Sequence, residues 1–136
     1  PQTILITGAS SGIGKATAIY FAEHGWNVVA TMRTPEKVGD WGQQRNLTLL
    51  RLDVLDLATI QQAINDTITK FGRIDAVVNN AGYGLVGPFE ASTNEQIKRQ
   101  FDTNVFGLMN VCRAMIPYFR AQGGGTIINV ASMGGG

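Results

Sequence analysis

Residues 3–16 read Thr3-Ile4-Leu5-Ile6-Thr7-Gly8-Ala9-Ser10-Ser11-Gly12-Ile13-Gly14-Lys15-Ala16. An apolar run of strand length passes without a break into a loop of small residues, and a helical pattern starts at Ile13. Gly8 allows a sharp exit from the strand, Gly12 lets a ligand approach the backbone, and Gly14 lets the helix pack close to the sheet. Such a loop offers free backbone N–H groups at the positive end of a helix dipole, with no side chain in the way. That is what the diphosphate of a dinucleotide needs. The Ser10 and Ser11 hydroxyls can add hydrogen bonds to phosphate or ribose oxygens. No Gly-Lys-Ser/Thr ending follows, which separates the loop from a nucleoside-triphosphate P-loop.

The rest of the chain repeats this alternation. Strand-length apolar runs follow at 27–31, 47–52, 74–78 and 126–130. They are almost continuously apolar rather than alternating, as strands covered on both faces are. Helical stripes lie between them: Gly14, Ala18, Phe21 and Ala22, closed by Gly25, and then Ile60, Ala63, Ile64, Thr67, Ile68 and Phe71, closed by Gly72. Asp56 is placed to cap the second of these helices, and a short helical turn is expected after Thr34, with Pro35 in its first turn. The longest stripe is Ile97, Phe101, Asn104, Val105, Leu108, Cys112, Met115, Ile116 and Phe119, with Pro117 predicting a kink near Arg113. The order predicts an α/β fold: a doubly wound parallel sheet in a Rossmann-like three-layer αβα sandwich. Residues 1–136 are read as one dinucleotide-binding domain that stops after the fifth strand.

Composition excludes several classes. Hydrophobic residues make up 44% and charged residues 15%, which suits a packed core and not a disordered chain. A net charge of +1 gives no basic surface for nucleic acid. The single cysteine, Cys112, rules out an internal disulfide and fits a reducing compartment. It lies on a helical stripe and reads as core rather than as a nucleophile. His24, the only histidine, sits in the last turn of a helix, where a dipole contact or solvation explains it. No metal-ligand pattern is present, and no apolar run is long enough for a membrane span. With no basic segment ahead of an apolar run in residues 1–7, the expectation is a soluble, cytoplasmic protein without membrane or nucleic-acid partners.

The spacing Thr7-Gly8-x-x-x-Gly12-x-Gly14 resembles that of the short-chain dehydrogenase/reductase family, classical type. Matches follow at Asp53-Val54 after the third strand, Asn79-Asn80-Ala81-Gly82 after the fourth and Ala131-Ser132 after the fifth. The resemblance covers essentially the whole chain, as the N-terminal portion of the family. It implies an oxidoreductase that moves hydride between a nicotinamide cofactor and a small-molecule carbonyl or alcohol, and the full-length protein is expected to be a homo-oligomer.

The end of the second strand bears on the choice of cofactor. An acid there would bond the ribose hydroxyls and repel a 2′-phosphate. Met32 occupies that place and Arg33 follows, and a guanidinium can grip a phosphate in a two-pronged contact. NADP(H) is therefore expected over NAD, although Arg33 also reads as a solvated charge. By resemblance, Asp53 accepts from the adenine amino group and Val54 contacts through its backbone. Asn80 touches the ribose, while Ala81 and Gly82 leave room. The candidate cofactor-binding residues are Gly8, Ser10, Ser11, Gly12, Ile13, Gly14, Arg33, Asp53, Val54, Asn80, Ala81 and Gly82.

Asn104 sits on an apolar stripe, where an amide is costly unless bonded. Alone it reads as a satisfied core asparagine; the resemblance implies that it holds a water in a proton relay. Ser132 matches the serine that hydrogen-bonds the substrate oxygen. The family's acid/base is a tyrosine followed four positions later by a lysine, downstream of that serine. Tyr20, Tyr83 and Tyr118 have no such lysine. The 136 residues alone are expected to be inactive, with an exposed fifth strand that favours association. The alternative is a non-catalytic dinucleotide-binding module or sensor. Tyr83 to Phe89 loosely resembles the corresponding stretch of steroid- and retinoid-type members; the substrate itself is not readable.

Overall fold

Every residue of Thr3–Ile6 is buried, so this first strand, β1, must lie inside a sheet covered on both faces. The computed structural model, which describes residues 1–10, 12–39, 46–80 and 93–130, places it there. β1 pairs in parallel with β2 (Asn27–Met32) on one side and with β4 (Ala76–Asn79) on the other. β3 (Leu47–Arg51) extends the sheet beyond β2, and β5 (Thr126–Asn129) extends it beyond β4, giving the order β3-β2-β1-β4-β5. The chain therefore winds outward from β1 in one direction, crosses back, and winds outward in the other. Such a reversal opens a crevice at the carboxyl ends of the central strands.

Side chains of β1 alternate between two apolar layers. Ile4 and Ile6 pack with Val28, Ala30 and Val78 against Ala18 and Ala22 of helix α1 (Gly12–Glu23). Leu5, Val29 and Val77 face the opposite way, onto α2 (Leu57–Phe71) and α3 (Asn94–Gln122). The expected three-layer αβα sandwich is thus observed. Local chemistry sets the helix ends. The Asp56 carboxylate caps α2 by accepting from the Ala58 N–H, and Gly72 closes it at φ 82°. Thr93 and Gln96 form a reciprocal capping box at the start of α3. A short 3-10 turn (Pro35–Lys37) follows β2, and α3 runs unbroken through Pro117.

The stripe expected on α3 is corrected in its register. The buried line is Gly107, Val111, Met115 and Phe119, spaced four residues apart. Of the expected stripe, Met115 and Phe119 are buried, whereas Phe101 (62%), Val105 (39%) and Ile116 (40%) are exposed. The helix carries apolar residues on more than one face, and periodicity alone cannot say which of them meets the sheet. Packing decides it through Gly107, which lets the helix axis come close. β5 lies at the sheet edge as expected and is exposed or half-buried along its length.

This register has a measurable consequence. In urea titrations of the 136-residue chain, Met115→Ala should cost about 2–5 kcal/mol of stability. Its neighbour, Ile116→Ala, should cost less than about 1 kcal/mol. Equal losses would contradict the placement of the helix face.

Candidate functional site

All strands are parallel, so their carboxyl ends share one edge, and hydrogen bonds there weld the segments that leave the sheet. The Thr7 N–H donates to the Val78 carbonyl at 3.0 Å, and the Ala9 N–H donates to the Thr31 carbonyl at 2.9 Å. The Thr31 hydroxyl donates back to the Ile6 carbonyl at 2.9 Å. The Thr7 hydroxyl accepts from the Asn80 N–H at 2.9 Å, and the Asn80 side-chain amide donates to the Gly8 carbonyl at 3.1 Å. The loop between β1 and α1 is thus held from both sides, by β2 through Thr31 and by β4 through Asn80.

Glycine is required where the loop turns and where the helix arrives. Gly8 and Gly12 adopt φ of 63° and 61°, in the left-handed region. Gly14 is buried, and a Cβ on it would collide with the Gly8 carbonyl oxygen and lie 2.6 Å from Asn80 Nδ2. Above Gly12, by contrast, the space is open: a Cβ there would meet nothing within 4 Å. The first N–H groups of a helix have no carbonyl behind them. Those of Gly12, Ile13 and Gly14 make no hydrogen bond among the described residues. Partial positive charge therefore faces an open, solvent-exposed position, which fits an anionic diphosphate. Ser10 is exposed beside it.

Further along the edge, Met32 is buried and Arg33, the next residue, is exposed. The Leu52 N–H donates to the Met32 carbonyl at 2.8 Å, which brings the turn after β3 alongside Arg33. In that turn the Asp53 carboxylate accepts from the Leu55 N–H at 3.0 Å. The Asp53 backbone N–H and carbonyl both bond the Thr59 hydroxyl, at 2.9 and 3.0 Å. Val54 is half-buried, and its carbonyl accepts from the Asn110 side chain at 2.9 Å. Its own N–H makes no hydrogen bond among the described residues.

Asn104 lies half-buried on α3, and its Oδ1 is a buried acceptor with no partner among the described residues. An orphaned acceptor of this kind is costly unless water or another group fills it. Near the ends of β4 and β5, the Asn79 amide donates to Asn129 Oδ1 at 3.0 Å and contacts Cys112 Sγ at 3.7 Å. Cys112 is half-buried there. His24 lies elsewhere: its Nδ1 is 2.8 Å from the Tyr20 carbonyl and its ring stacks on Tyr20. No group of three or more His, Cys, Asp or Glu among the described residues is placed to share a metal ion. No described helix is long and apolar enough to cross a membrane.

The structure therefore gathers Gly8, Ser10, Gly12, Ile13, Gly14, Arg33, Asp53, Val54 and Asn80 along one edge of the sheet. Ser11, Ala81, Gly82 and Ser132 lie outside the described residues, as does the 83–89 stretch. Sequence reasoning missed Thr7, Thr31 and Thr59 as braces, and Gly107 and Asn110 as parts of the same edge; Asn79 was part of a quoted motif but had no role assigned to it. A signal existed for Asn110, an amide set between Met109 and Val111 in the apolar middle stretch of α3. None existed for the threonines, whose β-branched side chains suit a strand or a turn equally well.

Residues 2–136 match the family model for short chain dehydrogenases. Over 136 residues the chain is 43% identical to a 3-ketodihydrosphingosine reductase of Bacteroides thetaiotaomicron, covering 99% of this chain and 48% of that protein. The chain spans about half the length of the curated relatives it matches. Among solved structures it resembles a 3-ketoacyl-(acyl-carrier-protein) reductase from Brucella melitensis complexed with NADH. The TM-score is 0.80 at 34% identity, over 96% of this chain and 57% of that one. It likewise resembles a gluconate 5-dehydrogenase from Burkholderia cenocepacia in complex with NADP and tartrate. Here the TM-score is 0.78 at 31% identity, over 96% of this chain and 53% of that one. With a glycine-lined strand-to-helix turn, a doubly wound parallel sheet and a family match along nearly its whole length, the chain belongs to the short-chain dehydrogenase/reductase family of oxidoreductases.

Proposed function

We propose that this chain supplies the dinucleotide-holding part of an NADP(H)-dependent oxidoreductase that interconverts a small-molecule carbonyl and an alcohol. The observation that carries the reading is the set of N–H groups at Gly12, Ile13 and Gly14 that make no hydrogen bond among the described residues, beside the open space above Gly12. In this reading those amides donate to the diphosphate, and the hydroxyls of Ser10 and Ser11 assist. Asp53 and the Val54 N–H meet the adenine, while Asn80, Ala81 and Gly82 border the ribose. Arg33 is exposed at the end of β2, and the residue before it, where an acid would repel a 2′-phosphate, is Met32. When bound, NADPH supplies the hydride.

Two residues are assigned to the substrate side. Asn104 holds a water through its Oδ1, which otherwise has no partner among the described residues. Ser132 donates a hydrogen bond to the substrate oxygen. The family's tyrosine and lysine are not found in these 136 residues, since Tyr20, Tyr83 and Tyr118 are followed four positions later by His24, Gly87 and Gln122. Turnover is accordingly assigned to the full-length protein, and the 136 residues alone are expected to have none.

Titration of the full-length protein tests the cofactor assignment. NADPH should bind more tightly than NADH, and Arg33→Ser should weaken NADPH by about ten- to a hundredfold while leaving NADH little changed. Tighter binding of NADH by the unsubstituted protein would contradict the NADP assignment, and uptake of neither would overturn the whole reading.

Asn104→Leu tests the water-holding role. Steady-state turnover should fall by about a hundredfold. The melting temperature should hold or rise, because a buried acceptor without a partner has been removed. Undiminished turnover would exclude Asn104 from the proton path and favour a binding module without catalysis.

A further inference from the structure

We infer that Asn110 and Gly107 of α3 are positioning residues that aim the Asp53–Val54 turn at the base of the nucleotide, so that this helix helps to set base selectivity from behind the site. The inference rests on the dinucleotide reading given above.

Recognition of adenine along this edge needs one acceptor and one donor in fixed relation. The acceptor meets the exocyclic amino group and the donor meets the ring nitrogen beside it. The turn after β3 offers that pair in the Asp53 carboxylate and the Val54 N–H, which makes no hydrogen bond among the described residues. Neither is useful unless the peptide between residues 53 and 54 is held still. Its carbonyl, on Asp53, accepts from the Thr59 hydroxyl at 3.0 Å and from the Asp56 N–H at 2.9 Å. Because the peptide is planar, these bonds also fix the Val54 N–H, the donor of the pair. The following peptide joins the Val54 carbonyl to the Leu55 N–H, which donates to the Asp53 carboxylate at 3.0 Å and so sets the acceptor of the pair. Asn110 holds this second peptide in place, its side-chain amide donating to the Val54 carbonyl at 2.9 Å across 56 residues of sequence.

The apolar half of the same contact is one turn away along α3. Gly107 is buried, and a Cβ on it would lie 2.5 Å from Val54 Cγ2 and 3.0 Å from Val54 Cβ. The clash reaches Val54 Cβ, so rotating the valine side chain cannot relieve it and the turn itself would have to move. Gly107 and Asn110 are three residues apart and therefore lie on one helix face. One seats the Val54 side chain and the other bonds its carbonyl. Neither residue lies in the turn itself, so their joint effect on it is exerted through Val54.

Hypoxanthine is the discriminating probe, because it exchanges the donor and the acceptor of adenine at these positions. NADPH and its hypoxanthine analogue are titrated into the full-length protein and into its Asn110→Ala and Gly107→Ala variants. The unsubstituted protein should favour the adenine form by about tenfold or more. In each variant that ratio should shrink by about three- to tenfold. A role confined to stability would weaken both ligands by the same factor and leave the ratio intact, which would overturn the inference. So would an unsubstituted protein that binds both forms equally, although the dinucleotide reading would survive. Binding of neither form would overturn both. The two variants perturb the contact from different sides, so a folding failure of one leaves the other to decide.

Discussion

The structure depends on how closely the first helix approaches the ends of the central strands. Gly14 sits where any side chain would strike the Gly8 carbonyl and the Asn80 amide. That closeness brings the start of α1 down onto the sheet edge, with its unbonded amides beside the crevice between β1 and β4. A side chain at this position would force the helix away, and loop-to-strand bonds would stretch with it. The same interaction is therefore both a packing contact and the source of the local positive field.

Around this contact, the described hydrogen bonds that hold the edge come from short polar side chains. Thr7, Thr31, Thr59, Asn80 and Asn110 each bond a backbone group of a neighbouring segment. Neutral hydroxyls and amides suit the task, because they fix loops without placing a competing charge next to a site that attracts anions. Of the paired charges that are seen, Lys98 with Asp102 lies on exposed surface, where such a pair contributes little, and Arg73 with Asp75 joins an exposed guanidinium to a largely buried carboxylate that also accepts from the Thr3 N–H. Arg33 is exposed at the end of β2, next to the crevice edge.

Much of this was readable in the residues. The run Thr3–Ile6 into Gly8 and Gly14 fixes both the parallel sheet and the loop geometry, because each glycine has a steric reason that no other residue satisfies. Asp56 and Gly72 delimit α2 through capping chemistry, which is local and hence legible. The face of α3 was not legible. Its apolar residues exceed what one contact can bury, and the choice is made by a long-range fit of Gly107 against Val54. Bonds such as Asn110 to Val54 or Asn80 to Gly8 join residues 56 and 72 positions apart, and a one-dimensional pattern has no means of reporting them. Ser132, Ala81 and Gly82 rest on the family resemblance alone.

The central claim is that a diphosphate docks on the amides at the start of α1. Backbone amide NMR of the full-length protein, titrated with NADPH, measures this directly. The account predicts the largest shifts at Gly12, Ile13 and Gly14, with smaller ones at Arg33 and Val54. Saturable binding that left the amides of Gly12 to Gly14 unmoved and perturbed the start of α2 or the exposed face of α3 instead would contradict it.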